Sequence, residues 1–141
     1  METMTQEDKE LLLKDLCARL PYGVKVESVF INPDTKEHKP CGIEIFDATS
    51  LLMIRDGLGE FKPYLFPLSR LNNLTEEQRK TLKVMCDWND EEADAQSILV
   101  LYQKHFVMKS DVIDWLHKNH FDYRGLIEKG LAIDATGLNI Y

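Results

Sequence analysis

Between residues 68 and 74 the hydrophobic pattern changes period, from the alternation of half-buried strands to the three-and-four spacing of helices. That switch sorts the chain into a β-rich segment over 24–68 and a helical half over 74–129. With a helix over 5–20 ahead of both, the expected fold class is α+β. The expectation in detail is an N-terminal helix, a small antiparallel sheet of three to four strands, and a C-terminal group of three to four helices. The 141 residues fit one domain, 1–141, and no linker or repeat divides them.

The first helix is announced by Thr5-Gln6-Glu7-Asp8, a cap followed by acids where they suit the helix dipole. Leu12, Leu13, Leu16, Cys17 and Leu20 recur at helical spacing and define its expected core face, and Pro21-Tyr22-Gly23 stops it. Val24 to Phe30 alternates as a strand. Gly42 to Asp47 and Ser50 to Arg55 read as two more strands, joined by a short link at Asp47-Ala48-Thr49. Lys62 to Leu68 is expected at a sheet edge or in an extended loop, because Pro63 and Pro67 lack a donor N–H. Thr75-Glu76-Glu77-Gln78 is a capping box ahead of Leu82, Met85 and Cys86. The run Ile98 to Tyr102 suits a buried helix or a strand. The acids before it and the length of the tract Ala93 to Phe106 favour helix. Ser110 caps a shorter helix over 111–119, and Gly125, Gly130 and Gly137 punctuate the remainder.

Seventeen Lys and Arg against 24 Asp and Glu give a formal charge of −7, spread over both halves, which opposes nucleic acid and anionic lipid as partners. No stretch approaches the ~20 apolar residues of a membrane span, and the opening Met1 to Asp8 lacks the basic and apolar parts of a secretion signal. A cytoplasmic protein is expected. Cys17, Cys41 and Cys86 are odd in number, far apart and free of any C-x-x-C spacing, so neither a disulfide framework nor a zinc knuckle is suggested. Gly57-Leu58-Gly59 lacks the further residues of a nucleotide loop and reads as a turn.

Two blocks, Leu11 to Val26 and Asp114-Trp115-Leu116 through Phe121-Asp122-Tyr123-Arg124-Gly125-Leu126-Ile127-Glu128-Lys129-Gly130-Leu131-Ala132, resemble an uncharacterised family of small proteins from gut Bacteroidetes and their phages. Lys62 to Ser69 is similar to a third block, with Phe66 where the family usually has a basic residue. The stretch from Glu27 to Gly59 departs from the pattern. The resemblance implies a bacterial or phage origin and carries no activity, cofactor or catalytic residue.

Four clusters invite chemistry. Asp114, His117 and His120 stand at i, i+3 and i+6, so carboxylate and imidazoles could hold a divalent metal. This is not the H-E-x-x-H spacing of zinc sites, and histidines in a last helical turn already interact favourably with its carbonyl end. Tyr123 and Arg124, with Trp115 nearby, are residue types that anchor partners, whereas an Asp122–Arg124 pair bracing a turn is the plainer account. His38 and Cys41 form a minimal nucleophile pair with no third group to orient the imidazole. The acids from Asp87 to Asp94 occupy one junction, where a solvated helix start explains them better than mimicry of a phosphate track. The expectation is therefore a non-enzymatic accessory or protein-interaction protein that uses its helical half, with no cofactor and an unknown protein partner. The alternative is a small metal-dependent hydrolase using Asp114, His117 and His120.

Overall fold

The computed structural model describes residues 5–85 and 110–141, with backbone alone at 72–73 and 83–85. The elements are α1 (Gln6–Arg19), β1 (Lys25–Ile31), β2 (His38–Ile45), α2 (Ala48–Arg55), β3 (Gly59–Pro67), α3 (Glu76–Met85), α4 (Ser110–Lys118), β4 (Phe121–Asp122) and β5 (Ile133–Asp134). Turns of 3-10 helix follow α1 at Leu20–Tyr22 and β3 at Leu68–Asn73. Contacts group these elements into two compact units, Met1–Leu65 with Arg124–Tyr141, and Phe66–Tyr123. The chain is α+β with an N-terminal helix. The helix expected over Ala93 to Phe106 lies outside the described residues.

In the first unit, α1 begins as expected: Thr5 accepts a hydrogen bond from the Asp8 N–H at 3.1 Å. Its buried face is Leu12, Asp15, Leu16 and Arg19, however, while Leu13 is 38% exposed and Cys17 is exposed. The leucine and cysteine stripe is thus shifted round the helix, because an Asp15–Arg19 ion pair, one turn apart, takes two of the inward positions.

β1 lies between β2 and β3, antiparallel to both. The Phe46 N–H donates to the Val24 carbonyl at 2.9 Å and the Asn32 N–H to Glu37 at 2.9 Å, so even-numbered β1 residues bond towards β2. The Ile31 N–H donates to Leu58 at 2.8 Å, so odd-numbered ones bond towards β3. Pro63 stands opposite Val26, an even residue, where β1 offers no carbonyl. A missing N–H costs nothing there. β3 is therefore central in the sheet order, against the expectation of an edge. Each of its stretches has one recorded partner: β1 over Gly59–Pro63, then β5 at Tyr64 and Leu65.

The pairing with β5 is parallel, as is that with β4, so the sheet is mixed rather than antiparallel. A second correction concerns Ser50 to Arg55, which is helix α2 and not a strand. The Ser50 N–H donates to Asp47 Oδ1 at 3.0 Å while the Asp47 N–H donates to Ser50 Oγ at 3.2 Å, a closed capping box that starts the helix. The core of this unit gathers Leu12, Leu16, Val24, Val26, Phe46, Phe61, Leu65, Leu126 and Leu131. Leu51, Met53 and Ile54 of α2 pack on it.

The second unit begins where Phe66 and Pro67, the end of β3, pair with Phe121 and Asp122. The α3 capping box forms as read, with the Gln78 N–H donating to Thr75 Oγ1 at 3.2 Å and the Thr75 N–H to Gln78 Oε1 at 3.1 Å. Leu71, Leu82, Val112, Leu116 and Phe121 make its core, 0 to 3% exposed. Two α-helices of the expected C-terminal group are present among the described residues, and after Lys118 the chain turns through β4 and β5 instead of continuing as helix.

Candidate functional site

The residues singled out in the sequence are drawn into different contacts. On α4, Asp114 faces solvent while His117 is 3% exposed, with its Nε2 2.8 Å from the Tyr123 hydroxyl. His120 follows the helix in the left-handed region, at φ +62°. Among the described residues no group of three His, Cys, Asp or Glu side chains is placed to hold a metal ion. Trp115 stacks on Phe121, 5.7 Å between centroids and 8° from parallel, within the second unit's core.

The boundary between the units falls between Tyr123 and Arg124. Tyr123 is held by His117 in the second unit. Arg124 Nε donates to Asp15 Oδ1 at 3.1 Å in the first. Both groups proposed as anchors are half-buried and engaged. His38 and Cys41 are exposed members of β2, and the Cys41 thiol lies 3.5 Å from the Lys39 carbonyl.

Sequence reading passed over Asp15 and Arg19. Both are fully buried, and Arg19 Nε donates to Asp15 Oδ2 at 2.8 Å, leaving Oδ1 for Arg124. Two guanidiniums on one carboxylate tie α1 to the segment after β4. An Asp and Arg at i, i+4 on a helix were the available signal, ordinarily that of a solvated pair.

Lys25 and Tyr64 hold a second tie. By the alternation above they should bond directly, and the Tyr141 hydroxyl stands between them instead. It accepts from the Lys25 N–H at 2.8 Å and donates to the Tyr64 carbonyl at 2.8 Å. The Lys25 ammonium also reaches the Ile140 carbonyl. Burial, opposed by the Lys25 N–H and the Arg19 charge, pushes the Tyr141 hydroxyl up to about 12. Tyr64 is raised too, by burial and then by Glu27.

These clusters point inward and brace the fold. What faces outward is β2, exposed at all eight residues. Bonding to β1 runs through Glu44, Gly42 and Lys39, so Ile43 and Ile45 turn their N–H and C=O groups to the outer edge. No described strand occupies that edge. Ile43 is 52% and Ile45 58% exposed, on the sheet face away from buried Val26 and Ser28. A bulge displaces the register between Gly42 and Pro40, and Gly42 supplies the φ of +86° it needs. Pro40 and the bulge blunt one half of the edge, as protective devices do, and leave the half from Cys41 to Ile45 open. The alternation of Gly42-Ile43-Glu44-Ile45 carried this signal in the sequence, but not which partner strand would be missing. No family model, no curated protein and no solved structure matches this chain.

Proposed function

We propose that this chain is a non-enzymatic accessory or interaction protein of bacterial or phage origin that works by binding protein at the outer edge of β2. The observation that carries the reading is that edge: a strand exposed along its length, with two half-exposed isoleucines beside an outer edge that no described strand occupies. Strand addition supplies main-chain hydrogen bonds and seats alternate side chains, the chemistry such an edge offers. The location differs from the helical half favoured by sequence, where Tyr123, Arg124 and Trp115 are occupied internally. The origin rests on the resemblance of the Leu11 to Val26 and Asp114 to Ala132 blocks.

A photo-crosslinking side chain at Ile45, in cells that express the protein, tests the reading. The expected result is a discrete protein adduct that is lost when the crosslinker is moved to exposed Leu138. Equal labelling from both positions, or none, would remove it.

A further inference from the structure

We infer that the fork where β1 and β3 part is a tyrosine-binding slot, filled by the chain's own Tyr141 and able to take instead a partner's peptide in which tyrosine follows an apolar residue. β1 and β3 pair from Phe30 and Gly59 to Val26 and Pro63. The next register position sets Lys25 opposite Tyr64, but β3 has by then turned to β5, with Tyr64 beside Ile133. The Lys25 N–H and the Tyr64 carbonyl, which a continued ladder would join, face an opening that admits one oxygen. The Tyr141 hydroxyl fills it, 2.8 Å from each.

The chemistry of the opening selects its occupant. One group must accept from an N–H and donate to a carbonyl at once, which a hydroxyl does and an ammonium, a carboxylate or a methyl does not. An aromatic hydroxyl is favoured over that of Ser or Thr, because the Lys25 ammonium stands 5.6 Å from the centre of the Tyr141 ring, within reach of a cation–π contact. Burial disfavours the phenolate and pushes the hydroxyl up to about 12, so the proton donated to Tyr64 is retained. The same ammonium bonds the Ile140 carbonyl, so the site reads the main chain ahead of the tyrosine as well as the ring. A peptide matches all of these contacts, and a free phenol only some.

The strap that brings Tyr141 to the fork is exposed. Thr136 to Asn139 face solvent, and Tyr141 itself is 40% exposed. Segments of this kind open at lower free energy than the core they lie on. β1 and β3 are anchored independently of it, by their own ladder and by Val26, Phe61 and Leu65 in the core, so the slot keeps both walls when the strap lifts. Tyr141 is then a competitor held on the same chain, and its effective concentration sets how tightly a partner's tyrosine must bind.

The test is an NMR titration of the isotope-labelled full chain, as wild type, Tyr141→Ala and Tyr141→Phe, read at the Lys25 amide. The probes are the blocked dipeptide acetyl-Ile-Tyr-amide, its Phe analogue and p-cresol. Both variants should shift the Lys25 amide and keep the rest of the spectrum dispersed. In Tyr141→Ala the Tyr dipeptide is expected to return that amide saturably towards its wild-type position. The Phe analogue should bind about tenfold more weakly, the worth of the two hydroxyl bonds. Wild type should need about tenfold more peptide or above, because its own tyrosine competes. Equal binding of the two dipeptides, or a Lys25 amide that no peptide moves, overturns the slot. p-Cresol bound as tightly as the Tyr dipeptide overturns the peptide assignment. A Tyr141→Ala chain that loses its native spectrum overturns the exchange, since the strap is then part of the fold itself. Tyr141→Phe keeps the ring and removes only the hydroxyl, so an unmoved Lys25 amide in that variant overturns the hydroxyl's role.

Discussion

Asp15 joins α1 to the segment after β4 through two guanidiniums, those of Arg19 and Arg124. A carboxylate removed from water is costly on its own, and two guanidiniums are equally so without it. Replacing Asp15 with Leu takes from both Arg19 and Arg124 the carboxylate they bond and is expected to cost about 3–5 kcal/mol in urea denaturation. The double change Asp15→Leu with Arg19→Met leaves only Arg124, which is 17% exposed and has a path to solvent. It should cost clearly less than the single change. A single change no worse than the double would show that the pair does not act as a unit. Tyr141 offers a residue-scale test with a pH signature. Its folded pKa lies above the unfolded value, so its contribution is fully present below about pH 10 and is lost as pH rises towards about 12. With the side chain 40% exposed, solvent screening reduces the expected loss to roughly 1 kcal/mol. Tyr141→Phe should flatten that part of the stability profile and, by removing bonds to Lys25 and Tyr64, destabilise by about 0.5–1.5 kcal/mol at neutral pH. An unchanged alkaline slope would assign it to other groups.

At the scale of elements, legibility followed period and caps. α1 and α3 were readable because a capping residue stands ahead of a run at helical spacing, and both caps form. Ser50 to Arg55 misled because Leu51-Leu52-Met53-Ile54 is a continuous apolar run, which has no period to distinguish helix from strand. Its cap was the better witness: Asp47 and Ser50 are three apart and bond reciprocally. Asp47→Ala should therefore cost about 1 kcal/mol and lower helical ellipticity, whereas Asp47→Asn should largely restore both. Loss of neither would mean that packing of Leu51 and Ile54 alone holds α2. β4 and β5, two residues each, leave no periodic trace, and their parallel pairing with β3 is set by contacts far along the chain. The candidate edge was half legible. Gly42 to Ile45 alternates, but Pro40 and the bulge hide the strand's first half.

For the whole molecule, the buried apolar residues gather into two cores, one in each compact unit, because periodicity marks which faces are apolar but not which distant faces meet. The charge, by contrast, acts regardless of topology. The chain carries −7, which repels an acidic partner at long range, while the contact proposed at the β2 edge is apolar and main-chain in character. Salt then has a definite sign. Raising ionic strength shortens the Debye length, to about 10 Å at 0.1 M, and screens the repulsion without weakening strand pairing. Crosslinking from Ile45 to its partner should hold or strengthen between low and moderate sodium chloride, and Glu44→Gln, which removes a charge at the edge, should reduce the salt dependence. A contact built on ion pairs with the partner would respond in the opposite direction, loosening as salt is added. The direction of that one titration therefore separates an apolar strand ladder from an electrostatic association at the same edge.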